Sequence, residues 1–312
     1  MKGRVIRSTG SWYTVKNVTT NEWVQCRMKG KFRLDGSTTT NPIAIGDFVD
    51  FEVEEGLDTA LIVYIYPRNN YIVRQSSHRK YLRHIVAANI DQAILIVTFS
   101  KPRTSLGFID RFILTAEMYH IPVVLVFNKQ DAYKKKDIQK YERAKHIYES
   151  LGYTCLLTSA TTGYGLDELK ACMKDKTSLL AGHSGVGKSS LANCLDEKLH
   201  LATKVISRYT EKGQHTTTHA EIYDLPFGAS IIDTPGIKEF GIVSIEPIEI
   251  GHYFVEMKAL MGNCHFNDCL HINEKKCAVK DAIENGIVSE ERYKNYVNIV
   301  NSIQDINYWE RN

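Results

Sequence analysis

The chain has 312 residues, 43% of them hydrophobic and 24% charged, with 39 basic against 36 acidic side chains. That composition excludes a disordered, collagen-like or low-complexity protein and leaves room for two or three domains. No apolar run reaches the ~18 residues that cross a bilayer and the N-terminus has no apolar leader stretch, so a cytoplasmic, membrane-free protein is expected.

Residues 1–70 read as short strands. Apolar and polar side chains alternate through Trp12–Val18 and Glu22–Met28, Asp35-Gly36 and Asn41-Pro42 mark turns, and Ile45–Val53 and Thr59–Tyr66 are strand-like. Four or five such strands suit a small barrel, either an OB-fold or an SH3-like one. Charge is unevenly spread: residues 1–34 hold eight Lys/Arg against Glu22 alone, whereas residues 35–70 hold seven acids against Arg68. A surplus of that size predicts either a face for a polyanion or a solvated surface.

Arg74–His84 is basic and without acids, and reads as a linker. Buried-strand runs then alternate with helical spacing: Ala93–Thr98, Ile109–Tyr119, Val123–Phe127, Asp137–Leu151, Tyr153–Thr158, a short helix from Gly165, and Lys176–Ala181. This predicts a parallel, doubly wound α/β sheet, with Glu221–Leu225 and Ser230–Asp233 joined to it as a hairpin. From Ile245 onward the pattern is helical around a cysteine-rich interruption, and too small for much core of its own.

The run Gly182-His183-Ser184-Gly185-Val186-Gly187-Lys188-Ser189, followed by Ser190, matches G-x-x-x-x-G-K-[ST] between a predicted strand and a helix. Glycines let backbone N–H groups turn inward around phosphate oxygens, and the helix N-terminus adds partial positive charge. Lys188 is assigned to the β/γ phosphates and Ser189 to Mg²⁺. Asn128-Lys129-Gln130-Asp131 closes the strand before it; the Asp131 carboxylate can accept from guanine N1–H and the exocyclic amine, which adenine cannot offer. Thr158-Ser159-Ala160 fits the loop whose amides support guanine O6. Asp233-Thr234-Pro235-Gly236 matches D-x-x-G, with Asp233 on Mg²⁺ through water and Gly236 sensing the γ-phosphate. Between them lies Gly213–His219, whose Thr217 is the candidate third Mg²⁺ contact and whose His215 and His219 are candidate catalytic groups.

In an ordinary GTPase the phosphate loop comes first. Here NKxD and SA precede it, a circular permutation that works because each loop sits at the C-terminal edge of its own strand. Ile237 follows the D-x-x-G glycine and cannot orient water, which predicts slow intrinsic hydrolysis completed by another loop or a partner. The chain also runs from Gly236 almost directly into the last region, a route by which nucleotide state can reach it.

Cys264, Cys269, His271 and Cys277 fall within fourteen residues, three thiolates and an imidazole able to close a tetrahedral Zn²⁺ shell; adjacent His265 is an alternative ligand. The remaining cysteines, Cys26, Cys155, Cys172 and Cys194, are scattered and read as small buried hydrophobes.

Taken together, NKQD, TSA, GHSGVGKSS, GQHTTTHAE, DTPG and C-x4-C-x-H-x5-C resemble the circularly permuted ribosome small-subunit-dependent GTPase A (RsgA) family along nearly the whole chain. The resemblance implies a multidomain α/β protein with an N-terminal OB-fold over 1–70, a permuted GTPase domain over 71–244, and a helical zinc domain over 245–312. It implies one structural Zn²⁺ on Cys264, Cys269, His271 and Cys277, Mg²⁺ with GTP, and a monomer that binds the small ribosomal subunit and its rRNA late in maturation, its slow GTPase stimulated by that particle. Gln214 departs from the Arg or Lys often found in that switch. Lys29, Lys31 and Arg33, with Trp12, Trp23 and Phe32 nearby, then suit an RNA-binding barrel face. Two other readings compete: an RNA-binding scaffold with a structural, unhydrolysed nucleotide, and a P-loop ATPase or kinase, against which Asp131 argues.

Overall fold

A computed structural model of the chain describes residues 1–30, 42–75, 83–199, 220–233 and 245–311. Lys31, Arg33, Gln214, His215, Thr217, His219, Gly236 and Ile237 lie outside the described residues.

Five strands form the N-terminal unit: β1 (Lys2–Ser8), β2 (Tyr13–Asn17), β3 (Trp23–Met28), β4 (Phe48–Val53) and β5 (Thr59–Ile65). They close in the order β1-β2-β3-β5-β4, with β4 returning to β1 and β3 parallel to β5. This ring decides between the two barrels in favour of the OB-fold. Val5, Val15, Cys26, Val49, Phe51, Ala60 and Ile62 fill it, from inward positions of all five strands.

The expected linker is structured at both ends. β6 (Tyr71–Gln75) pairs antiparallel with β7 (Arg83–Ala88), so Arg74 lies opposite His84 in a two-stranded ribbon. Apolar Ile72, Val73, Ile85 and Ala87 flank the basic stretch and supply the buried side that its composition hides.

The central sheet runs β10 (Thr154–Leu157), β9 (Val123–Phe127), β8 (Gln92–Val97), β11 (Thr177–Ala181), β13 (Ser230–Asp233), β12 (Glu221–Asp224), parallel except for the β12–β13 hairpin. Period-two geometry sorts its apolar runs onto two faces. Ala93, Leu95 and Val97 meet Ile109 and Phe112 of α1 (Leu106–Met118) and Tyr141 and Ala144 of α2 (Lys135–Ser150). Ile94 and Ile96 meet Leu169 of α3 (Leu166–Met173) and Leu191 of α4 (Lys188–Leu195).

β12 also pairs with β1, so the sheet continues into the barrel. Arg7 pairs with Glu221, Lys16 Nζ lies 2.6 Å from Asp224 Oδ2, and Arg4 donates to Thr177 Oγ1 at 2.8 Å. Lys2 sits over the Tyr66 ring, and Arg27 pairs with Glu54. Five of the eight N-terminal cations therefore face partners within the chain, three of them across the seam with the central sheet and two inside the barrel unit.

The C-terminal region holds α5 (Val255–Lys258), α6 (Ala278–Glu284) and α7 (Glu290–Arg311). Its core of Ile250, Phe254, Met257, Tyr296, Ile299 and Val300 is completed by Leu114 of α1. Beneath it Arg292, 1% exposed, donates to Asp110 Oδ1 at 2.6 Å and to Glu256 Oε1 at 2.5 Å; Asp110 also accepts from Tyr148 and Asn295. Each buried charge has a partner, as the low dielectric demands. Among the described residues no helix is long and apolar enough to cross a membrane.

Candidate functional site

The loops leaving β8, β9, β10 and β11, and the last residue of β13, gather at the C-terminal edge of the sheet, where ligands bind in open α/β folds. Strand order, and not chain order, decides which loops touch. Since β8 lies between β9 and β11, NKQD and the Gly182–Ser189 loop meet although the chain visits them in permuted order.

Asn128, 1% exposed, joins three loops. Its Nδ2 donates to Val186 O at 2.9 Å, while its Oδ1 accepts from Thr158 Oγ1 at 3.2 Å and Ala160 N at 3.3 Å. Gly187 (φ +105°) leaves no room for a side chain, because a β-carbon there would strike Asn128 Nδ2. Asp131 is exposed and accepts from Ser159 Oγ at 2.5 Å, which aims a carboxylate outward where a base edge can meet it. Lys129 adopts a left-handed φ of +69°, and its Nζ bridges Lys101 O (2.7 Å) and Gly185 O (2.6 Å). Burial lowers its pKa, with Asp131 opposing.

Lys188 opens α4 and folds back so that Nζ donates to the carbonyls of Gly182 (2.6 Å) and His183 (2.9 Å). Ser189 and Ser190 follow in the first turn, where unpaired N–H groups and the helix dipole favour anions. Asp233 ends β13; burial raises its pKa, Lys188 opposes, and Glu221, its cross-strand partner, adds to the rise. The structure thus gathers Asn128, Lys129, Gln130, Asp131, Ser159, Ala160, the Gly182–Ser190 run and Asp233 along one sheet edge. Mg²⁺, when bound with GTP, neutralises charge on the phosphates; Ser189 and Asp233 are the described residues that would hold it.

The sequence reading missed a further loop, Thr98–Ser105 between β8 and α1. Pro102 packs beside Gly185, Lys101 supplies its carbonyl to Lys129, and Phe108 stacks on His183. It carries no glycine motif, so its one sequence signal is its position after a buried strand.

The second constellation is local. Ligand atoms of Cys264, Cys269, His271 and Cys277 all lie within 4.8 Å of one another. His271 Nδ1 is 3.5 Å from Cys264 Sγ and 3.4 Å from Cys277 Sγ, and the two sulfurs are 4.0 Å apart. Zinc bonds of ~2.0–2.3 Å in a tetrahedron put ligand atoms ~3.4–3.8 Å apart; the His271–cysteine pairs stand at that spacing, and the whole set would need to draw in by under about 1 Å to close on such an ion. Burial lowers the His271 pKa, with Glu274 opposing, which favours the neutral imidazole that a metal ligand requires. It pushes the Cys269 thiol up to about 12 and raises Cys277 too, costs that a divalent cation reverses. His265 packs on Phe266 outside the cluster, so the alternative ligand is not the one gathered.

With this geometry in place, the sequence profile of the RsgA GTPase matches residues 65–243, and that of the RsgA N-terminal domain matches residues 2–61. The chain belongs to the RsgA GTPase family. It is a GTP hydrolase with an OB-type barrel and a circularly permuted GTPase fold. Two relatives carry the name small ribosomal subunit biogenesis GTPase RsgA. That of Flavobacterium psychrophilum is 50% identical over 96% of this chain and 92% of its own, and that of Flavobacterium johnsoniae 51% over 96% and 93%. YjeQ from Thermotoga maritima superposes with a TM-score of 0.80 at 36% identity, covering 97% of this chain and 98% of its own. YloQ, described as a circularly permuted GTPase, superposes with a TM-score of 0.77 at 29% identity, covering 97% and 95%.

Proposed function

We propose that this RsgA-family GTPase is a small-ribosomal-subunit maturation factor: a GTP switch that binds the subunit and its rRNA and is stimulated by it. The carrying observation is the Asn128 junction, which ties the base-reading and phosphate-binding loops into one GTP site in a chain whose near-full-length relatives bear the biogenesis name. In this reading Asp131 selects guanine, Lys188 meets the β/γ phosphates, and Ser189, Thr217 and Asp233 serve Mg²⁺. His215 or His219 supports the water that Ile237 cannot orient, and Gly236 reports the γ-phosphate to the last region.

The proposed units are 1–70, 71–244 and 245–312, in a cytoplasmic monomer with one structural Zn²⁺ on Cys264, Cys269, His271 and Cys277. Lys29, Lys31 and Arg33 contribute to the RNA face.

GTP turnover by the purified chain, with and without small subunits and with Lys188→Ala as control, tests the reading. Stimulation that the control lacks supports it. Bound GTP with no turnover in either condition returns the scaffold alternative. Elemental analysis tests the metal: one zinc per chain is expected, lost in Cys277→Ser.

A further inference from the structure

We propose that Phe108 is a positioning residue for the phosphate loop, acting through His183, and that Lys101–Phe108 is a further element of the nucleotide site. The inference rests on the reading of Gly182–Ser189 as the GTP phosphate loop. Three contacts from this one segment reach that loop or the base-reading lysine beside it. The Phe108 and His183 rings stack with centroids 3.7 Å apart and planes 29° from parallel. Pro102 Cδ would lie 3.5 Å from a β-carbon on Gly185. Lys129 Nζ binds the Lys101 and Gly185 carbonyls together.

The loop needs such a wall because its own residues resist order. Gly182, Gly185 and Gly187 all have positive φ, the region in which glycine loses most freedom on being fixed. Val186 anchors the far end of the loop in the core, and His183 is the side chain that can be gripped at its start, next to Gly182. Its carbonyl also accepts from Lys188 Nζ at 2.9 Å. When Lys188 turns to a phosphate, that carbonyl loses its donor, and the ring stack remains to hold the backbone curved.

The wall itself is fixed. Thr104 N donates to Thr98 O at 2.9 Å, Thr98 N to Thr104 Oγ1 at 3.2 Å, and Ser105 Oγ caps α1 by accepting from Phe108 N at 3.2 Å. Two residues further along the helix, the Asp110 side chain is locked to Arg292. Phe108 therefore presents its ring from a support that does not depend on nucleotide, which is pre-organisation of the cradle.

Pre-organisation of this kind acts on nucleotide binding and leaves the chemical step alone, so KM and kcat separate. Phe108→Leu keeps the apolar volume and removes the ring face; Phe108→Tyr keeps both. Binding of a fluorescent GDP and steady-state GTP hydrolysis are measured for both variants, for His183→Ala, and for the Leu/Ala double variant, with thermal unfolding alongside. The Leu variant is expected to weaken GDP binding and raise KM about five- to tenfold with kcat within about twofold, and Tyr to restore wild-type values. His183→Ala is expected to match the Leu variant, and the double variant to lose no more than either single one. Wild-type affinity in both single variants, or losses that simply add, would overturn the proposal while leaving the GTP site intact. If the wild-type chain binds no GDP, the GTP-site reading fails first and this inference with it.

Discussion

Asn128 Nδ2 reaches the Val186 carbonyl at 2.9 Å across a sequence separation of 58 residues, and its Oδ1 serves Thr158 and Ala160 at the same time. A single buried amide thereby sets the distance between the Asn128–Asp131 loop and the Gly182–Ser189 loop. In a permuted chain these loops have no short covalent tether, so the amide carries a registration that connectivity does not.

Asn128→Ala leaves the Val186 carbonyl and the Ala160 N–H without this partner in a buried site, a cost of ~1–3 kcal/mol per group. GDP affinity is expected to fall ~10- to 100-fold, with loss of the preference for guanine over adenine nucleotides. Competition of ATP against a fluorescent GDP checks both effects. Unchanged affinity and selectivity would mean that the three loops hold register without the amide.

The buried cation Arg292 gives a prediction about stability. Its two carboxylate partners, Asp110 on α1 and Glu256 on α5, belong to different units, and all three side chains are almost wholly buried. Arg292→Ala strands two acids where burial already raises the Asp110 pKa against the pull of Arg292. A loss of ~3–5 kcal/mol is expected in urea unfolding. A loss under ~1 kcal/mol would show that water reaches the cleft and relieves the charges.

The features that were legible in the sequence are the local ones. The G-x-x-x-x-G-K-S run needs its glycines, lysine and serine within eight residues, and the Cys264–Cys277 cluster gathers its four donors within fourteen, so both write their spacing directly into the chain. β2 and β3 show through period-two alternation, and β4 and β5 as strand-like runs between turn residues. β1 does not stand out: Lys2 and Arg4 alternate with Gly3 and Val5 over only four residues, and a register shift between Val5 and Arg7 breaks the period before Arg7. Those cations find their partners at Tyr66, Thr177 and Glu221, which no local window contains. Phe108 on His183 and Arg292 on Asp110 are invisible for the same reason: each is a contact between distant elements with no motif of its own.

That relocation of charge separates two kinds of basic residue. Lys29 is exposed at the end of β3, whereas Lys16 is engaged with Asp224 at 2.6 Å. If the barrel face meets rRNA phosphates through Lys29, Lys29→Glu should weaken subunit binding and reduce the magnitude of its log–log salt slope by about one. Lys16→Glu should leave the slope unchanged and lower stability slightly, by up to ~1 kcal/mol for a partly exposed pair. Filter binding over a salt series distinguishes them, and equal slopes for all three proteins would remove Lys29 from the interface.

Asp233 gives the clearest pH dependence. Burial raises its pKa, Lys188 opposes, and Glu221, directly across the β12–β13 ladder, raises it again. A carboxyl whose folded pKa lies above its unfolded value of 3.8 stabilises the fold most when protonated. That contribution is complete below the unfolded value and is lost as pH rises through the folded one. At pH 7 the nucleotide-free, metal-free protein therefore holds a carboxylate that its surroundings disfavour, and Asp233→Asn relieves it. The variant should unfold at a higher temperature than wild type at pH 7, with the gain shrinking toward zero as pH approaches 4. If Asp233 serves Mg²⁺ as proposed, the variant should also lose Mg²⁺-dependent GTP turnover. Glu221→Gln should reproduce part of the thermal gain at pH 7 by removing the opposing charge. A destabilised Asp233→Asn at pH 7 would show that the Lys188–Asp233 attraction outweighs burial, and would reverse the sign of the argument.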